Sequence, residues 1–100
     1  MELHQIRYFL AICEEGNFTR AAKRCGVKQP SLTRAIQRLE SELGAVLFVR
    51  TRAGAAVSEL GRQLQPHMRR IADSVHRAQA TAARAANDDA EKFRPQTRRA

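Results

Sequence analysis

Glycine falls at positions 16, 26 and 44, and between those stops apolar residues recur at three- and four-residue steps. This punctuation constrains the chain more than any other feature, because it divides the first 44 residues into three short amphipathic helices. Leu3, Ile6, Phe9, Leu10 and Cys13 form the inner face of the first. Asn17 is a ready N-cap for the second, with Thr19 able to serve the same end. Phe18, Ala21, Ala22 and Cys25 form that helix's inner face, and Gly26 suits the left-handed cap that stops it. Pro30 opens the third helix, where its missing N–H would be unpaired anyway. Leu32, Ala35, Ile36, Leu39 and Leu43 then fall within one arc about 100° wide, with Pro30, Thr33, Arg34, Gln37 and Ser41 opposite. Two helices joined by a short turn, the second opening on polar side chains, is the helix-turn-helix arrangement.

Beyond Gly44 the pattern changes. Val46 to Thr51 is β-branched and aromatic, Arg52, Ala53 and Gly54 turn the chain, and Ala55 to Val57 returns. That pattern predicts a two-stranded hairpin, a wing, beside the third helix. Ser58 caps a fourth, longer helix. In it Leu64, Met68, Ile71, Val75, Ala78, Ala82 and Ala85 follow at steps of 4, 3, 4, 3, 4 and 3, a heptad seam that seeks another helix. Packing of that helix on its own domain is the alternative. Pro66 is expected to kink or weaken its start. From Asn87 onward the chain is polar and mixed in charge, as in a frayed tail. The fold class expected is mostly α: a winged helix-turn-helix of three helices and a two-stranded β wing over 1–58, a linker and dimerisation helix over 59–86, and a flexible tail over 87–100.

The formal charge is +8, and residues 20–52 hold eight Lys or Arg against two Glu. A clustered positive field favours a polyanion, nucleic acid before an anionic membrane. The two cysteines, Cys13 and Cys25, make no CxxC pair, and no His is spaced to complete a metal site with them. Both read as small buried hydrophobes, which argues against redox sensing. The N-terminus is too short and too charged for a signal peptide, and no run approaches a membrane span. The expectation is a cytoplasmic protein without metal or cofactor. His4, His67 and His76 are scattered, no carboxylate pair sits in an apolar setting, and no glycine-rich phosphate loop occurs, so no enzyme is expected.

The polar tip of the third helix has a matching chemistry. Gln bonds adenine, Arg bonds guanine, and Ser or Thr bonds either, each good bidentate pair being worth about 1–3 kcal/mol of discrimination. Arg20, Lys23, Arg24 and Lys28 lie on or just after the second helix, which in such modules crosses the phosphate backbone. Arg50 and Arg52 flank the wing tip, where Arg enters a minor groove. Glu40 and Glu42, which would repel DNA, sit at the far end of the third helix.

The stretches FTRAA, QPSLTRAIQRLE, ELG and LFVRT, in that order and followed by VSELG, make residues 2–61 resemble the N-terminal DNA-binding domain of LysR-type transcriptional regulators. The resemblance implies a winged helix-turn-helix that binds partly palindromic double-stranded promoter DNA. It implies base reading by Gln29, Pro30, Ser31, Thr33 and Arg34, a phosphate contact at Thr19, and wing contacts from Arg50, Thr51 and Arg52. The fourth helix resembles the family's linker helix, so a homodimer through Leu64, Met68, Ile71, Val75 and Ala78 is expected. The family usually continues into a large effector-binding domain, so a small-molecule effector is not expected to act on these 100 residues. The wing tip, AGAA, places Ala53 and Ala56 where relatives often carry basic residues, which implies weaker phosphate contact there. The rival reading is a truncated regulator that pairs with full-length subunits and antagonises them.

Overall fold

The computed structural model describes residues 1–93. Three helices come first: α1 over Leu3–Glu15, α2 over Phe18–Cys25 and α3 over Gln29–Leu43. Strands β1 (Phe48–Thr51) and β2 (Gly54–Val57) pair antiparallel, with Phe48 opposite Val57 and Thr51 opposite Gly54. Helix α4 spans Glu59–Phe93.

The helix ends follow local chemistry. Asn17 accepts a hydrogen bond from the Arg20 N–H at 2.8 Å and caps α2, so Thr19 is not needed for that. Gly26, at φ 71, closes α2, and the Val27 N–H reaches the Ala22 carbonyl at 3.0 Å. A left-handed residue of this kind satisfies helix carbonyls that would otherwise be left over. Ser58 accepts the Gly61 N–H at 3.0 Å as the start of α4 requires.

The core is aliphatic with an aromatic centre. Ile6, Phe9, Ile12, Ala21, Ala22, Leu32, Ile36, Leu39 and Leu47 are buried together. Phe48 of β1 packs on Phe9 of α1 at 5.4 Å and edge-on to Phe18 of α2 at 5.7 Å. Such ring pairs add about 0.5–1.5 kcal/mol each beyond burial, and here they seat the wing on the helices. Two carboxylates at the end of α3 also brace the fold. Glu40 Oε2 accepts the Leu47 N–H at 2.7 Å and the Phe48 N–H at 3.4 Å. Glu42 pairs with the N-terminal amine at 2.6 Å.

Several expectations change. The first strand begins at Phe48 and not at Val46, because the backbone before it bonds elsewhere: the Leu47 N–H to Glu40, the Leu47 carbonyl to the Ser58 N–H and the Val46 carbonyl to the Ser58 hydroxyl. Leu3 is 51% exposed, while Gln5 is buried at 4%. Gln5 is tolerated there because its amide is satisfied on both sides. It accepts the Glu2 N–H at 2.7 Å and donates to the Ala35 carbonyl at 3.4 Å, joining α1 to α3.

Pro66 does not interrupt α4. Pro66 and Arg62, whose carbonyl loses its partner, are both exposed, so water can satisfy that carbonyl. The helix also runs past residue 86 to Phe93, continuing from the alanine-rich stretch 78–86, whose helix propensity is high. What was expected of the tail beyond that lies outside the described residues. The heptad seam divides in two. Met68 is 2% exposed and packs in the core, with Leu64 half-buried beside it. The core therefore continues past residue 58, because three short helices and a hairpin leave an apolar face that α4 covers. Ile71 remains 37% exposed, Val75 is half-buried, and Ala78 is exposed.

Candidate nucleic-acid interface

The turn from Gly26 to Lys28 sets α3 across α2, with Val27 half-buried against the core as its anchor. The buried arc Leu32, Ala35, Ile36 and Leu39 turns the opposite face outward. Pro30, Ser31 and Arg34 are exposed, and Gln29 and Thr33 are half-buried. Gln29 Nε2 donates to Thr33 Oγ1 at 2.9 Å, one turn along the helix. Lys28, the N-cap of α3, makes no side-chain cap bond, since its ammonium offers no acceptor.

The outward stripe is longer than the first two turns. Arg34, Gln37, Arg38 and Ser41 line a shallow depression of about 360 Å³. The helical period carried that signal for Gln37 and Ser41. Arg38 is exposed on the flank of the stripe, on the same side of the helix as Ser31 two turns earlier.

Thr19, Arg50, Thr51 and Arg52 are exposed as well. The Arg50 guanidinium lies 4.6 Å from the Phe18 ring centre, a cation–π contact that the sequence did not reveal. It brings the β1 arginine to the first residues of α2, next to Thr19. The Ala55 N–H donates to the Gly16 carbonyl at 3.0 Å and ties β2 to the same turn. The wing therefore meets the start of α2, and the tip of α3 meets its end. An eight-residue helix separates two such features by about 12 Å.

The basic residues divide by partner. Arg24 Nη2 lies 2.5 Å from Glu14 and Nη1 lies 3.2 Å from Glu15; Arg69 Nη1 of α4 lies 3.3 Å from Glu14, and Arg20 Nε 3.5 Å from Glu15. The Arg24 guanidinium, with Arg69 behind it, holds the Glu14 carboxyl below its usual range. Glu14 and Glu15 are thus the hub of an ion cluster across α1, α2 and α4, not isolated solvated charges. Arg20 and Arg24, which the sequence places on the helix that crosses the backbone, are therefore also paired within the subunit. Among the described residues, no carboxylate pairs with Lys23, Lys28, Arg34, Arg38, Arg50 or Arg52.

Cys13 and Cys25 are only half-buried, less than their helical positions implied. Burial still pushes the Cys13 thiol up to about 11, away from the reactive thiolate. No described helix is long and apolar enough to cross a membrane.

Comparison with known proteins points the same way. A profile of the bacterial regulatory helix-turn-helix protein, lysR family, matches residues 3–62. The HTH-type transcriptional regulator ClcR of Pseudomonas putida is 46% identical over 71 residues, covering 71% of this chain and 24% of that protein. IlvR of Caulobacter vibrioides, another HTH-type transcriptional regulator, is 47% identical over 68 residues, 68% of this chain and 23% of that protein. The chain spans about a quarter of the length of these curated relatives. They are regulators by name and not enzymes. Among solved structures, the CbnR_DBD–DNA complex superposes with a TM-score of 0.79 at 40% identity, over 86% of this chain and 99% of that one. The BenM_DBD/catB site 1 DNA complex gives a TM-score of 0.81 at 35% identity, over 86% and 97%.

Proposed function

Since this chain belongs to the lysR family of bacterial regulatory helix-turn-helix proteins, we propose that it binds double-stranded DNA of defined sequence and serves transcription regulation in the bacterial cytoplasm. The observation that carries the reading is the outward face of α3. Pro30, Ser31, Arg34, Gln37, Arg38 and Ser41 are exposed, and no described carboxylate pairs with its two arginines. A helix of this width enters a major groove, its N-terminal residues at the base edges. Gln29, Pro30, Ser31 and Arg34 face the bases, with Thr33 bonded to Gln29 beside them. Thr19 and Arg50, which lies over the ring of the neighbouring Phe18, take a phosphate, and Thr51 and Arg52 work from the wing at the adjacent minor groove. Residues 1–58 supply the reading surfaces, and α4 supplies both a core side chain and the arm that pairs two subunits.

Selection from a random DNA pool, read together with oligomeric state in solution, tests this directly. Arg34→Ala should relax base choice at one position by about 1–3 kcal/mol, whereas Lys28→Ala should weaken all duplexes alike. Equal losses on selected and scrambled duplexes for both variants would refute that division.

The dimer uses the outer half of the seam. Ile71, Val75 and Ala78 line a shallow surface on α4, and Val75 also borders a groove of about 430 Å³ against Leu3, Ile6 and Arg7 of α1. Met68 is used in the subunit's own core, with Leu64 half-buried against it, which leaves the outer residues to carry the contact. Ile71→Asp should raise the dimer dissociation constant at least about tenfold, since a carboxylate would be desolvated on association, while the melting temperature of the subunit changes little. Sedimentation equilibrium of the variant reads this, and an unchanged constant would place the interface elsewhere.

A further inference from the structure

We infer that Thr33 is a positioning residue: it leaves the Gln29 carboxamide one free donor and one free acceptor, the complement of adenine. The inference rests on the reading of α3 as the base-reading helix, and it gives Thr33 a role other than direct contact.

The geometry is local. Residues four apart are neighbours on a helix surface, and each side chain leans toward the helix N-terminus, so Thr33 covers the turn that carries Gln29. Gln29 Nε2 donates to Thr33 Oγ1 at 2.9 Å. Thr33 is half-buried and β-branched, which limits its χ1 in a helix to two rotamers, and the one present holds Oγ1 against the Gln29 amide.

The consequence is one of donor counting. A glutamine amide has two N–H donors and one carbonyl acceptor. Thr33 takes one N–H. What remains is one N–H and Oε1, and among the described residues Oε1 has no hydrogen-bond partner. Adenine offers an N7 acceptor and an N6 donor in the major groove, whereas guanine offers two acceptors, N7 and O6. The remaining pair matches adenine. Guanine would need both N–H groups, and one is held. Gln29 is also ordered before DNA arrives, so less side-chain freedom is lost on binding.

The test uses the 100-residue chain and a random-sequence duplex pool. Gln29→Ala identifies the base pair that Gln29 reads, as the position whose preference disappears. At that position the unaltered chain should favour adenine over guanine. Thr33→Val, nearly isosteric but without the acceptor oxygen, should lower that ratio about tenfold at that position alone, within the range a bidentate pair supplies. Thr33→Ser, which keeps the oxygen, should retain the ratio. In the Gln29→Ala background, Thr33→Val should add nothing further. The inference is overturned if the unaltered chain favours guanine there or if Gln29→Ala changes no position. It is equally overturned if Thr33→Val leaves the ratio intact, if Thr33→Ser loses it too, or if the loss spreads over several positions. Enrichment of no sequence by the unaltered chain would instead overturn the DNA-reading proposal itself.

Discussion

Raising salt from about 50 to about 200 mM should weaken binding of the chain to its selected duplex by about three decades or more, the loss typical of six to ten phosphate contacts. The physical cause is release of counterions from the DNA as arginine and lysine replace them. The structure makes the prediction residue-specific. Arg38 is exposed on the flank of α3 with no described carboxylate partner, so Arg38→Ala should make the logarithmic salt slope shallower by about one per subunit. Arg24, held between Glu14 and Glu15, should leave the slope where it was when changed to Ala. Fluorescence anisotropy across a salt series separates the two. If Arg24→Ala moved the slope as much as Arg38→Ala, the division of charge between internal cluster and DNA face would be wrong.

Gly54→Ala should destabilise the fold by at least about 2 kcal/mol, through a left-handed backbone and a steric collision together. Gly54 sits at φ 136, and an added Cβ would meet the Gly16 carbonyl oxygen at 2.3 Å. That carbonyl also receives the Ala55 N–H, so the β2 strand cannot withdraw without breaking the bond that ties the wing to the α1–α2 turn. For a domain of this size the loss corresponds to a fall in melting temperature of about 8 °C or more. Gly44→Ala is the control: Gly44 is also left-handed, at φ 70, but nothing lies within 4 Å of its added Cβ. It should cost only the backbone penalty, about 1 kcal/mol. Equal melting shifts for the two variants would show that the close approach at Gly16 carries no weight.

Gly54 also shows where reading the sequence stops. In the pattern Arg52-Ala53-Gly54 it marks a turn, but in the fold Arg52 and Ala53 make the turn and Gly54 is the first residue of β2, paired with Thr51. That its α-carbon faces the carbonyl of Gly16, a residue of the α1–α2 turn, is a contact between distant segments and leaves no local trace. Glu40 is similar. From sequence it is a carboxylate kept away from DNA; in the fold it accepts two N–H groups just ahead of β1. Gln5 and Leu3 exchange places for the same reason. One face of α1 is apolar by period, yet which part of that arc is sealed depends on where α3 and α4 lie.

Features whose cause lies within a few residues were legible without coordinates. The glycine stops, the Asn17 and Ser58 caps, the buried arc of α3 and its polar outward face all follow from helical geometry and short-range hydrogen bonding, as does membership in a helix-turn-helix class. The partners of charged and polar side chains were decided only by tertiary structure: Arg24 with Glu14, Arg50 with Phe18, and the drawing of Leu64 and Met68 into the core while Ile71 stays outside. Side-chain period says which way a residue points from its own helix. Only the packing of helices decides whether water, another segment or a partner stands there.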